Sequence, residues 1–198
     1  MIFVGRDDIR KEFLRWAEVE AEGVDRAALL IGPAGMGKTS ILRHFEAICD
    51  QHPGNWYAQL LTVNENEGAS EFFSRVLDNT YDLFAKAFIP VLPGDRSRFK
   101  SFIQSLGKAG GPPGTALGEM IASLVREKSR AGFERFEVYM QAVAATLGPD
   151  QRFVILIDPE KYLHASQMPE WRSVATRLPA KVRLIIAQRS NDVLAADK

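Results

Sequence analysis

Four short apolar runs, at 27–31, 56–63, 153–157 and 182–187, alternate along the chain with stretches whose apolar residues recur at helical spacing. The last three runs follow turn signals: Pro53-Gly54, Gly148-Pro149 and Leu178-Pro179. Nearly continuous apolar runs are expected of strands covered on both faces, so the alternation predicts an α/β fold with a mostly parallel central sheet flanked by helices in three layers. Ile9, Phe13, Trp16 and Ala17 mark a first helix after a cap at Asp7, and Ile41, Leu42, Phe45 and Ile48 a second. Phe72, Phe73, Val76, Leu77, Leu83, Phe84 and Phe88 predict a long third helix. Two more stripes follow, one at Leu117, Met120, Ile121, Leu124 and Val125, the other at Phe133, Phe136, Tyr139, Met140 and Val143. Stripes of this kind pack a core more often than they bind a partner.

The stretch 107–114, with Gly110-Gly111-Pro112-Pro113-Gly114, is loosened by glycine and stripped of donors by proline, so it reads as an exposed loop. It lies in a region of about 90–130 that exceeds what a crossover needs, which predicts an insertion within one domain spanning 1–198. A chain of 198 residues is long enough to bury a substantial core.

The segment Gly32-Pro33-Ala34-Gly35-Met36-Gly37-Lys38-Thr39 fits G-x-x-x-x-G-K-[ST] at every fixed position and lies between an apolar run and an amphipathic helix. Glycines let the backbone wrap phosphate oxygens with successive N–H groups, while the helix after Gly37 turns its positive end toward the same anion. Lys38 is placed to reach the β and γ phosphates, the Thr39 hydroxyl to ligate Mg²⁺, and Ser40 to join the nucleotide contacts. The run Phe153-Val154-Ile155-Leu156-Ile157 ends in Asp158, a carboxylate where a P-loop site needs an acid for Mg²⁺. The ligand expected is ATP or ADP with Mg²⁺.

With Phe3-Val4-Gly5-Arg6-Asp7 ahead of the loop and Gln188-Arg189-Ser190 closing the last run, the chain resembles P-loop ATPase domains of the STAND and AAA+ group, including origin-recognition-like members. The resemblance implies that Val4 and Gly5 lie near the adenine and Arg189 near the γ-phosphate; Arg6 reads as a surface charge that caps the first helix or pairs with its acids. It implies a nucleotide-dependent switch in a signalling ATPase, working through flanking domains or an effector protein, with a homo-oligomer as another partner. A second implied function is a loader or motor that handles DNA. The resemblance also implies a further strand beside the P-loop strand and a C-terminal lid, neither of which is expected within the 198 residues.

One departure bears on catalysis. Hydrolysing members place a second acid directly after the aspartate or in Asp-x-x-Asp-Glu, whereas this chain reads Asp158-Pro159-Glu160. Glu160 is the nearest acid, so Asp158, Glu160 and Arg189 are the candidate catalytic residues, and hydrolysis is expected to be slow or absent.

Composition narrows the alternatives only a little. Twenty-five basic residues balance 25 acidic ones, which weighs against a DNA partner while leaving room for a local basic patch. The lone Cys49 excludes an internal disulfide, no apolar run is long enough for a membrane span, and the expected location is the cytoplasm. No Asn-Lys-x-Asp occurs to select guanine. A small-molecule kinase would need a basic lid, for which Arg126, Lys128 and Arg130 are the candidates. His44, His52 and His164 have no metal-ligand spacing with one another or with Cys49.

Overall fold

The computed structural model describes residues 9–19, 23–54, 56–65, 67–85, 132–160 and 168–189, together with Glu119, Ser123 and Leu163. Its elements run α1 (Ile9–Glu18), a 3₁₀ turn (Gly23–Arg26), β1 (Ala27–Ile31), α2 (Lys38–Gln51), β2 (Tyr57–Val63), α3 (Ala69–Ala85), α4 (Gly132–Thr146), β3 (Phe153–Pro159), α5 (Met168–Thr176) and β4 (Val182–Gln188). All four expected runs are strands, and they pair in parallel in the order β1-β4-β3-β2. The strand carrying Asp158 is thereby separated from the P-loop strand by β4.

Strand alternation divides the core in two. Phe153, Ile155 and Ile157 of β3 and Val182, Leu184 and Ile186 of β4 face α3, α4 and α5. Val154, Leu156, Ile185 and Ala187 face the other way, toward α1 and α2. Each layer is locked by aromatic stacking, Phe13 on Phe45 at 4.3 Å between ring centres and Phe73 on Phe136 at 4.5 Å. The architecture is the three-layer α/β sandwich that the sequence pattern predicts.

Helix α4 approaches α3 closely at its first residue. A side chain on Gly132 would drive its first carbon into the backbone carbonyl of Ser70. Glycine allows the approach, and the Gly132 N–H donates to Ser70 Oγ at 2.9 Å.

At the foot of the sheet Arg183 is fully buried. It donates to the carbonyls of Ala180 (2.8 Å) and Val182 (3.1 Å), and to that of Val19 just past the end of α1 (2.6 Å). A cation there meets the negative end of the helix. Burial, reinforced by the positive charges of Arg152 and Arg26, pushes its pKa down to about 10.

Two details depart from the sequence pattern. Helix α5 has no counterpart among the expected helices, although Trp171 and Val174 are buried at helical spacing. The apolar run expected at 153–157 continues as strand through Asp158 and Pro159, the latter opposite Val63. Odd-numbered residues of β3 bond to β4, as Phe153 N–H does to the Lys181 carbonyl. Pro159 would be next to donate on that side and has no N–H, and the β3–β4 register ends at Ile157–Ile186. On the β2 side the chain continues undisturbed, with Glu160 N–H donating to the Val63 carbonyl at 3.0 Å.

The expected helix through Leu117, Met120, Ile121, Leu124 and Val125, the 107–114 loop, Phe88 and the side chains of Leu83 and Phe84 lie outside the described residues. Among the described residues no helix is long and apolar enough to cross a membrane.

Candidate nucleotide site

The phosphate loop leaves β1 with Gly32 N–H donating to the Gln188 carbonyl at 3.2 Å, so its first residue is tied to the tip of β4. Gly35 and Gly37 adopt φ values of 76° and 85°, which side chains at those positions would resist. Gly37 then caps α2 without any side-chain acceptor for the leading amides. Those amide donors and the positive end of the helix dipole suit an anion. Pro33, Ala34, Gly35 and Met36 are exposed, as are Thr39 and Ser40 on the first turn of α2. The Met36 side chain folds back over Gly32.

Lys38 turns into the loop. Its Nζ donates at 2.8 Å to the carbonyl oxygens of both Gly32 and Pro33. Burial lowers its pKa, the positive charge of Arg189 lowers it further, and the Asp158 carboxylate opposes both. Two of the expected site residues, Asp158 and Arg189, thus lie close enough to Lys38 for their charges to act on its ammonium. Their convergence follows from strand parity: Asp158 continues the Val154–Leu156 series and Arg189 the Ile185–Ala187 series, both on the α2 side of the sheet.

Glu160 is placed differently. Its carboxylate accepts the N–H of Glu65 at 3.1 Å, beyond the end of β2, on the far side of β3 from β4 and β1. Arg75 stands nearby: its hydrogen bonds to Glu67 at 2.7 Å, with help from the charges of Glu67 and Glu160, raise its pKa against the cost of burial. Val4, Gly5, Arg6 and Ser190 lie outside the described residues.

The donor set fits a nucleotide phosphate chain with Mg²⁺. The α2 terminus offers uncapped amides, and the Lys38 ammonium rests on neutral carbonyls that phosphate oxygens can replace. Among the described residues no three His, Cys, Asp or Glu side chains gather as a metal cluster. Mg²⁺ needs no such cage, since it is commonly held by one or two protein oxygens together with substrate phosphates.

Sequence reading missed Gln188. Its side chain is buried and pairs with the backbone of Leu163, Nε2 donating to the carbonyl at 3.2 Å and Oε1 accepting the N–H at 3.4 Å. The signal was an amide side chain closing the buried apolar run Leu184-Ile185-Ile186-Ala187, which must find a partner.

The family model of the AAA ATPase domain matches residues 2–186, a span that includes the phosphate loop, Asp158 and most of β4. No curated protein and no solved structure gave a significant match. The four-stranded parallel sheet with its helices is consistent with a P-loop NTPase. With the phosphate loop at the end of β1 and a family match over nearly its whole length, the chain belongs to the AAA ATPase domain family, a family of nucleotide-binding proteins.

Proposed function

We propose that this domain binds ATP or ADP with Mg²⁺ and serves as a nucleotide-dependent switch of the STAND type, with slow or absent hydrolysis. In this reading the amides of 32–40 and the Lys38 ammonium hold the phosphates, Thr39 and Asp158 hold the metal, and Arg189 approaches the γ-phosphate. Val4 and Gly5 take the adenine by resemblance to the family. Bound Mg²⁺ would neutralise phosphate charge. The switch acts through flanking domains or an effector.

The observation that carries the slow-hydrolysis reading is the engagement of Glu160. Proline occupies the position after Asp158, and the Glu160 carboxylate accepts the Glu65 N–H instead of standing beside Lys38. A water-activating group typically contributes about 10² to 10⁴ in rate, so a site without one retains binding and loses most turnover. Steady-state ATPase measurements on the wild type and Glu160→Gln test this. Turnover well under about 1 per second in both supports the switch. Turnover at or above that rate, abolished in Glu160→Gln, makes Glu160 the catalytic acid and overturns it. Hydrolysis stimulated by DNA would favour the loader reading.

A further inference from the structure

We propose that Gln188 is a positioning residue that couples the phosphate loop to the chain following Asp158; the inference rests on the nucleotide-binding reading above. Gln188 ends β4 on the α3–α5 side of the sheet, in series with Val182, Leu184 and Ile186, and is only 4% exposed. Its side chain therefore points away from the face that carries Lys38, Asp158 and Arg189. It does not reach for phosphate. It bonds the backbone instead, and at both ends.

The main-chain carbonyl of Gln188 accepts the N–H of Gly32, the first residue of the phosphate loop, at 3.2 Å. Its side-chain amide meets the N–H and the carbonyl of Leu163 together, at 3.4 and 3.2 Å. A primary amide used in this way imitates one rung of a strand ladder. The rung is needed because the β3–β4 register ends at Ile157–Ile186, where Pro159 brings no donor. Leu163 is itself 1% exposed in the core that contains Trp171 of α5. Lys38 completes the chain of contacts by holding the Gly32 carbonyl at 2.8 Å.

One residue thus joins the phosphate loop, on one face of the sheet, to the backbone of Leu163 on the other. When phosphate draws the Lys38 ammonium from the Gly32 carbonyl, the loop takes up a new and better fixed set of bonds. The Gly32–Gln188 bond carries that change to the β4 tip, and the Gln188 amide carries it to Leu163. A contiguous set of hydrogen bonds between two sites is the kind of physical connection that coupling requires, and it is measurable. The ligated loop holds Gly32 more firmly, so nucleotide slows exchange of the Leu163 amide.

The test combines calorimetry of Mg²⁺-ATP binding with residue-resolved hydrogen exchange at Leu163, in the wild type and in Gln188→Leu. In the wild type, ATP is expected to slow Leu163 exchange by about threefold or more. In Gln188→Leu that response disappears, while ATP affinity stays within about threefold because no phosphate contact has been removed. A purely structural role would make exchange faster in the variant yet leave the wild-type amide indifferent to ATP. Binding heat with unchanged Leu163 exchange in the wild type overturns the coupling alone, as does a response that survives in the variant. Absence of binding heat in the wild type overturns the nucleotide reading and the coupling with it. If Gln188→Leu does not fold, Gln188→Asn, whose amide is one methylene short of Leu163, is expected to lose the response in the same way, and the wild-type measurement stands by itself.

Discussion

The ammonium of Lys38 lies 2.8 Å from the carbonyl oxygen of Gly32, so the glycine loop holds its own cation. Its pKa is already lowered, first by burial and then by Arg189, with Asp158 pulling the other way. Phosphate binds the protonated form, so affinity for Mg²⁺-ATP should be flat near neutrality. It should decline as pH climbs toward the ordinary lysine value of 10.5, and earlier than an exposed lysine would allow. Arg189→Ala removes a repelling charge, raises the Lys38 pKa and moves that decline to higher pH. Affinity measured across pH in both proteins checks the sign, and a shift to lower pH would contradict it.

Restoring an acid where the family usually has one should restore chemistry. Pro159→Glu places a carboxylate directly after Asp158 and also returns an N–H to the β4 side of β3. The expected result is a rise in ATP turnover of about tenfold or more, the lower part of the range for a general base. Unchanged turnover in a folded Pro159→Glu protein would mean that a different feature limits hydrolysis.

The α3–α4 contact gives a stability prediction independent of nucleotide. In Gly132→Ala the new methyl meets the Ser70 backbone, which cannot rotate away as a side chain could. The expected cost is about 1–3 kcal/mol, outweighing the better helix propensity of alanine. For a domain of this size each kcal/mol lowers Tm by roughly 2–4 °C. Thermal denaturation equal to the wild type would show that the helices can separate without penalty.

Arg183 separates charge from packing. Arg183→Ala leaves the Val19 carbonyl without its donor and opens a cavity, at an expected cost of about 2–4 kcal/mol. Arg183→Met fills the space and removes a charge whose burial is expensive, so its cost should be no more than half as large. Chemical denaturation of both variants gives the comparison, and equal costs would mean that the charge itself supports the fold.

The strands and the phosphate loop were legible because their causes are local. A run such as Phe153-Val154-Ile155-Leu156-Ile157 is covered on both faces, and the glycine loop carries its whole geometry in eight consecutive residues. Helix α5 escaped notice because only Trp171 and Val174 of its nine residues are buried, too few for a stripe. The course of β3 through Pro159 depends on which neighbour its odd-numbered residues face, and sequence does not state that. The Glu160 and Gln188 side chains find partners 95 and 25 positions away, so their roles follow from topology alone.

The central claim is that the 32–40 loop binds adenine nucleotide through Lys38. Calorimetric titration of Mg²⁺-ATP into the wild type and Lys38→Ala tests it most directly, with circular dichroism to show that both are folded. Alanine is the best helix former for the first position of α2, so the fold should survive. A charged hydrogen bond is worth about 1.5–3 kcal/mol, so the variant should bind about tenfold or more weakly. Equal affinity in the two folded proteins, or no binding by the wild type, would contradict the claim.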